Sequence, residues 1–447
     1  MLGQDICHPL GTSWQVEKVG RKNRKINNIL EKIFILIIKL LFITMRQETF
    51  FVIGGHCPRS KEDAQTIFNY FALNGLKPVK KIHKADIICI YTCGGFNDTE
   101  KSSLLTMQDM LQKKSKGATV IVTGCLTKIN PEALNNVKDA TVIDYDHINQ
   151  LDEIIHSKIP FNQIPNSGTI GQVPPLYTDQ VMKSIIYSRN DPDFIKNIPM
   201  YVKKLKALYF KKIKELDTSK IYHIRISRGC LGSCAYCSIK FAHGRLKSKP
   251  LELIQKDFEM GVKKGYTLFK LIGQDIGCYG IDLQTNIIEV LKIFFNLPGN
   301  NKIILTDFHP QWLIKYYDQL EPLLMKYHKK ILSFRIPIES GSNVVLARMK
   351  RHYKIDVVKK YLIQLKEKIP SLQIYTNIIV GFPGETDQDF QETLNLLKEI
   401  SFKSVGIYSY SDRSMTESFR MKDKLSSEVI EERMNEIKNQ VHLSMTN

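Results

Sequence analysis

From Met45 onward, short apolar and β-branched runs alternate with stretches of helical periodicity, the pattern of a parallel α/β domain. The first run, Thr49–Ile53, ends at Gly54-Gly55-His56-Cys57, and Ser60 with Asp63 predicts a capping box opening a helix to about Leu73. A second strand is predicted over Asp86–Tyr91, ending at Thr92-Cys93-Gly94-Gly95. A third spans Ala118–Val122 and ends at Thr123-Gly124-Cys125. Each time a cysteine stands where a strand hands over to a loop. In an open parallel sheet those ends share one edge, where ligands bind, so three cysteines distant in sequence are expected to converge.

Residues 161–218 lack this alternation and, with Pro160, carry Pro165, Pro174, Pro175, Pro192 and Pro199. Their second half is basic, with Lys203, Lys204, Lys206, Lys211, Lys212 and Lys214 interleaved with Tyr201, Tyr209 and Phe210. This connector is either an amphipathic helix with a solvated basic face or a grip for nucleic acid. The alternation resumes at Tyr222, with strands predicted at His223–Ser227, Thr267–Ile272, Ile303–Thr306, Leu332–Pro337, Ile374–Val380 and Val405–Tyr408. Helices fill the gaps, among them Leu251–Lys264, Trp312–Tyr327 and Asp387–Glu399. Six βα units predict a partial (βα)6 barrel with its function at the C-terminal strand ends. One helix from Ser426 to about His442 closes the chain. The expected division is an extension (1–44), an amino-terminal open parallel-sheet α/β domain (45–160), the connector (161–218), the partial barrel (219–425) and the closing helix (426–447).

The 447 residues have an ordinary hydrophobic fraction of 43%, but a formal charge of +19. That charge suggests a polyanionic partner, nucleic acid first, or a lysine-rich solvated surface. Nine cysteines, three of them within eight residues, argue against a disulfide framework and for a metal site in a reducing, cytoplasmic compartment. In the first 44 residues a basic stretch, Gly20–Lys25, precedes an apolar run, Ile33–Ile43, that is too short to span a membrane. No small-residue cleavage site follows it. The segment reads as an upstream extension with a misassigned start, or as a short interfacial anchor, and no stable membrane insertion is expected.

The sharpest chemical signal is Arg228-Gly229-Cys230-Leu231-Gly232-Ser233-Cys234-Ala235-Tyr236-Cys237. It places three thiolates on one loop after the first barrel strand. Three thiolates suit a four-iron cubane and leave one iron open for a chelating cofactor. A structural zinc site would want four closed ligands and a second knuckle, which the sequence does not offer. Tyr236 supplies an apolar face beside the cluster. Other strand ends carry Gly273-Gln274-Asp275, Pro337-Ile338-Glu339-Ser340-Gly341-Ser342 and Gly381-Phe382-Pro383-Gly384-Glu385-Thr386. Their glycines let backbone amides approach a ligand, and Asp275 and Glu385 can order loops or hold polar groups.

The cysteine motif resembles the radical S-adenosylmethionine (SAM) superfamily, and the whole set, over roughly residues 46 to 440, resembles its methylthiotransferase family. The resemblance implies two [4Fe-4S] clusters, one on Cys230, Cys234 and Cys237 that cleaves SAM to a 5′-deoxyadenosyl radical. The other, on Cys57, Cys93 and Cys125, carries the methylthio group. Tyr236, Gln274, Asp275, Glu339, Ser340, Gly381 and Glu385 match positions expected around SAM. Implied partners are a flavodoxin- or ferredoxin-like electron donor and a sulfur donor. Cys89, mid-strand, reads as a core residue, and Cys278 carries no assigned role. From Arg228 to Glu399 the chain is similar to the branch that modifies N6-threonylcarbamoyladenosine in tRNA. Cys57-Pro58-Arg59 and Thr92-Cys93-Gly94 look more like the branch acting on a ribosomal-protein aspartate, so a ribosomal protein or peptide is the alternative substrate to tRNA. The chain departs from the family at Glu339 (usually Gln), at His243 (usually Arg) and at Tyr410–Thr416, and its sequence stops where the family's substrate-binding TRAM barrel would begin.

Overall fold

Residues Thr49–Gly54 (β1) form an extended run whose every second side chain enters a core, and parallel pairing places them between two neighbours. This computed structural model describes residues 47–165, 168, 173 and 220–446. The upstream extension, the lysines of the connector and Cys7 lie outside the described residues. The first sheet runs β2-β1-β3-β4-β5, all parallel, with β2 Lys77–Pro78, β3 Ile87–Thr92, β4 Thr119–Gly124 and β5 Thr141–Val142. The central strand β3 is buried at all six positions, as a strand covered on both faces must be. Helix α1, Pro58–Leu73, packs Ile67, Tyr70 and Phe71 onto one face with Phe50, Val52 and Tyr91. Helix α2, Asn97–Lys113, lays Met107 and Met110 on the other.

The start of α1 corrects the sequence reading. Cys57, not Ser60, is the N-cap: its sulfur accepts from the Ser60 amide at 3.4 Å, and the Ser60 hydroxyl accepts from the Cys57 amide at 3.1 Å. Pro58 explains the shift. Its fixed φ and missing N–H suit the first helical turn, where an amide would go unpaired.

The second sheet has six parallel strands in sequential order: β6 Ile221–Arg225, β7 Leu268–Ile272, β8 Lys302–Leu305, β9 Ile331–Arg335, β10 Ile374–Val380 and β11 Ser404–Ser409. Helices α3 Leu251–Lys263, α4 Ile287–Phe295, α5 Pro310–Tyr327, α6 Ile355–Lys368 and α7 Asp387–Glu399 lie between them, and α8 Ser427–Thr446 closes the chain. The strands do not pair β11 back to β6, so the sheet is an open, partial barrel. Its core centres on Phe258, Phe269, Phe294, Phe308 and Phe334, each fully buried and each stabilising the fold by roughly 1.5–3 kcal/mol.

Buried ion pairs join the two sheets within one compact unit, Thr49–Asn447. Arg225 at the end of β6 pairs with Glu62, and with Asp63 at 3.0 Å, on α1. Arg228 reaches Asp63 at 2.5 Å and lies over the Tyr145 ring at 3.8 Å. Arg413 binds Glu100, the Gly94 carbonyl and Asn97. Arg59 meets Asp307 at 2.7 Å and the Gly273 carbonyl at 3.0 Å. These contacts turn the cysteine-bearing edge of the first sheet toward the C-terminal ends of the second.

Candidate active site

The parallel register of the first sheet lines up its strand ends. Tyr91 stands opposite Gly54, and Thr92 opposite Gly124. Gly124 has φ +109, and a β-carbon there would stand 2.3 Å from the Thr92 carbonyl oxygen, so no larger residue fits. The turn it permits sends the Cys125 amide to Thr92 O at 3.0 Å. Cys93 is held by Ser103, whose hydroxyl accepts from its amide and donates to its carbonyl, both at 2.8 Å. Cys57, Cys93 and Cys125 thereby stand close enough to feel one another's charge. Burial first, then Cys93 and Cys57, push the Cys125 thiol well up. Burial and Cys57 raise Cys93. Burial would raise Cys57 too, but Arg59 and the hydrogen bonds from Ser60 outweigh it and hold that thiol below its ordinary value.

Cys125 also touches His243, with Sγ 3.4 Å from Nε2. On the other side of that ring, Nδ1 lies 3.1 Å from Arg228 Nη1. A guanidinium only donates, so Nδ1 accepts and the proton stands on Nε2, aimed at the sulfur. Burial and the Arg228 charge lower the imidazole pKa to about 3, which keeps the ring neutral.

The second cysteine set sits on the loop after β6. A β-carbon on Gly229, at φ +76, would stand 2.1 Å from the Arg245 carbonyl oxygen, so only glycine lets the loop pack there. The Gly232 amide points at Cys230 Sγ, 3.1 Å away, and the Ala235 amide is tied to Met349 O at 2.9 Å. Arg351 brings Nη1 to 3.8 Å from Cys234 Sγ and to 3.0 Å from the Tyr236 hydroxyl, which donates to Glu339 Oε1 at 3.3 Å. Burial raises Cys234 against the pull of Arg351, and burial with Cys234 pushes Cys237 up to about 11. Cys278 stands against Cys230, whose pKa is lowered first by a hydrogen bond between the two thiols.

A cavity of about 390 Å³ opens between the two sets, lined by Cys57 from one and Cys237 from the other. Tyr236 and Glu339 line it, as do Arg59, Lys270, Asp307, Arg335 and Asn377. Phe96 and Tyr408 stand at its wall as a parallel stacked pair, 5.6 Å between centroids. Asp307 and Glu339 both hold left-handed backbone, φ +51 and +72, an uncommon state for such residues and one that concentrates at functional sites. Hydrogen bonds to β10 keep Glu339 there, its amide to Asn377 O at 2.8 Å and its carbonyl from the Ile379 amide at 2.9 Å.

The remaining residues expected around SAM do not line this cavity. Gln274 accepts from the Gly229 amide at 2.9 Å, while its buried Nε2 has no partner. Asp275 is spent on the loop, accepting from the amides of Gly277 and His309 and from Trp312 Nε1 at 2.6 Å. Its carboxyl is raised to about 6 by burial. Ser340 is fully buried and accepts from the Ser342 amide at 3.1 Å. Glu385 takes the Gly381 amide and Arg433, each at 2.8 Å, and Gly381 leaves room for Ile430 of α8. Lys270, Asp307, Arg335 and the Phe96–Tyr408 pair were not expected from sequence. Charged residues inside otherwise apolar strand runs, LFKLI and ILSFR, are the signal that marks the first and third.

Among the described residues no group of three or more His, Cys, Asp or Glu side chains is set to hold a single metal ion. The donor chemistry instead suits a larger group: two sets of three thiols, each with backbone amides or a cation to carry thiolate charge, and an orphaned amide at Gln274. No helix among the described residues is long and apolar enough to cross a membrane.

Residues 224–397 match the radical SAM superfamily, and residues 49–144 match Uncharacterized protein family UPF0004. Curated relatives include a protein named "Probable threonylcarbamoyladenosine tRNA methylthiotransferase" from Pyrococcus abyssi, 28% identical over 84% of this chain and 80% of its own. A tRNA-2-methylthio-N(6)-dimethylallyladenosine synthase from Clostridium botulinum is 28% identical over 87% and 80%. The ribosomal protein uS12 methylthiotransferase RimO from Thermotoga maritima is 27% identical over 85% and 80%. Among solved structures, the radical SAM methyltransferase TsrM from Kitasatospora setae shares the fold, with a TM-score of 0.55 at 10% identity over 83% of this chain and 77% of that one.

Proposed function

The chain belongs to the radical SAM methylthiotransferase family, and we propose that it places a methylthio group on N6-threonylcarbamoyladenosine of tRNA, next to the anticodon. The observation that carries this reading is a cavity lined by both Cys57 and Cys237, one member of each thiol set. On this reading Cys230, Cys234 and Cys237 would hold one [4Fe-4S] cluster, and Cys57, Cys93 and Cys125 would hold the other. When bound, SAM and the first cluster supply the radical that breaks an unactivated C–H bond, and the second cluster supplies the methylthio group.

The protein's own groups hold the reactants and shape their surroundings. Arg351 offsets thiolate charge at Cys234 and fixes Tyr236, which in turn orients Glu339. Arg59 does the same at Cys57 and anchors that loop to Asp307. Ile239, Ile272 and Ile379 give the cavity an apolar wall that limits water around a reactive radical. The net charge of +19 favours a polyanionic substrate and strongly salt-dependent binding. The basic connector from Lys203 to Lys214, outside the described residues, is the proposed RNA grip, and electrons come from a flavodoxin- or ferredoxin-like donor.

Mass spectrometry of tRNA nucleosides from cells with and without the gene tests the substrate. Loss of 2-methylthio-N6-threonylcarbamoyladenosine on deletion is the expected result, and an unchanged nucleoside profile refutes it. A second reading, an aspartate of a ribosomal protein, is favoured by Cys57-Pro58-Arg59, since Arg59 reaches the cavity. Intact-mass analysis of ribosomal proteins from the same cells decides between them.

A further inference from the structure

Two cations in the cavity make no direct ion pair with a carboxylate among the described residues. Lys270 enters it from β7 and Arg335 from β9. The cavity's two acids are already engaged: Asp307 with Arg59 at 2.7 Å, and Glu339 with Arg351 at 4.0 Å and the Tyr236 hydroxyl at 3.3 Å. Among the described residues Arg335 donates from Nη1 to the neutral amide of Asn377 at 3.2 Å and lies over the Tyr375 ring at 5.9 Å. Among the described residues neither Lys270 nor Arg335 forms an ion pair. Burial pushes the Lys270 amine down; the Asp307 charge, itself paired with Arg59, works against this, and Arg335 and Arg59 add to the lowering as like charges. A lysine in an apolar strand of a parallel sheet is costly, and a second cation facing it adds to that cost.

We propose that Lys270 and Arg335 receive a carboxylate of the substrate, so that the site reads a threonylcarbamoyl side chain by its acid group. An anion between them would relieve the repulsion and accept charge-assisted hydrogen bonds from both. A hydrocarbon substituent such as dimethylallyl would desolvate both cations without supplying an anion, which disfavours it. The assignment rests on the tRNA reading for the molecule that bears the carboxylate, but not for the carboxylate itself.

The test uses cluster-loaded protein and two anticodon stem-loop RNAs: one carrying threonylcarbamoyladenosine, the other the same nucleoside as its methyl ester. Their phosphates are identical, so the difference in affinity reports the acid group alone. Wild type is expected to prefer the acid by about tenfold to a hundredfold. Lys270→Met and Arg335→Gln should each erase most of that preference, while Lys270→Arg keeps it and all three melt with the wild type. Variants that retain the full preference overturn the proposal. So does a Lys270→Met protein whose preference is intact but which has lost SAM affinity or auxiliary iron, because the lysine then serves those groups. If wild type ignores the RNA pair but prefers an aspartate peptide over its asparagine version, and Lys270→Met abolishes that, the carboxylate assignment stands and the tRNA reading fails. If wild type distinguishes neither pair, the proposal is wrong.

Discussion

Arg225→Met removes the guanidinium that joins β6 to α1, and its cost follows from what remains around Glu62 and Asp63. Asp63 keeps Arg228 at 2.5 Å and the Tyr91 hydroxyl at 2.7 Å. Glu62 keeps nothing comparable: it is 1% exposed, its Oε1 has no partner, and Arg225 is its ion pair. The loss therefore falls on Glu62 and amounts to about 3–5 kcal/mol, the cost of stranding one member of a buried pair. A thermal midpoint lower by roughly 4–6 °C is expected for a unit of this size. The deficit depends on pH. Burial raises the Glu62 pKa even with Arg225 present, and without it the carboxyl rises further. An acid whose folded pKa lies above its unfolded value of about 4.3 destabilises the protein at high pH, and that penalty fades as pH falls through the folded pKa. The variant should therefore trail wild type more at pH 8 than at pH 5.5. Asp63, held low by Arg225 and Arg228 against burial, loses its contribution only at much lower pH and does not enter that window. Adding Glu62→Gln should recover about half of the loss or more. Differential scanning fluorimetry across this pH range, with the double variant alongside, makes the check. A deficit under about 1 kcal/mol, one independent of pH, or one untouched by Glu62→Gln would refute the reasoning.

Anaerobically reconstituted protein should hold about eight irons, four per cubane, and replacing Cys57, Cys93 and Cys125 together by alanine should remove half of them. His243→Ala deletes the Nε2–H donor at Cys125 and should weaken iron retention at the auxiliary site by about tenfold to a hundredfold in a chelator competition, leaving the other cluster intact. A chain beginning at Met45 should keep the wild-type melting temperature and both clusters, because β1 starts at Thr49 and, among the described residues, takes β2 and β3 as its two neighbours; circular dichroism and iron assays report it.

Strands were legible wherever apolar runs alternated with helical periodicity, and β10 and α7 begin and end where the pattern placed them. Cys57, Cys93 and Cys125 stood out because each follows a strand end, and Cys230, Cys234 and Cys237 because of their spacing. The cap of α1 was misread because Ser60 and Asp63 fit a capping box in sequence, whereas proline geometry at Pro58 decided the boundary. Lys270 and Arg335 escaped notice because a single charge in a strand gives no sign of which face it takes; only the sheet register turns both into one cavity. The pairing of Arg225 with Glu62, 163 residues apart, has no local signature at all. Asp275 and Glu385 show the reverse case. Their positions were legible, but their carboxylates are bound to loop amides, Trp312 and Arg433 rather than turned into the cavity.

The central claim is that two thiol sets serve one cavity and divide the labour of a methylthio transfer. It is tested most directly by incubating reconstituted protein anaerobically with SAM, a reductant and threonylcarbamoyladenosine stem-loop RNA, then measuring both 5′-deoxyadenosine and the mass of the released nucleoside. The account predicts that wild type yields 5′-deoxyadenosine and a nucleoside heavier by one CH2S unit. The Cys57, Cys93 and Cys125 triple variant should yield 5′-deoxyadenosine and no heavier nucleoside. A triple variant that still methylthiolates the RNA, or that no longer cleaves SAM at all while keeping its iron on Cys230, Cys234 and Cys237, would contradict it.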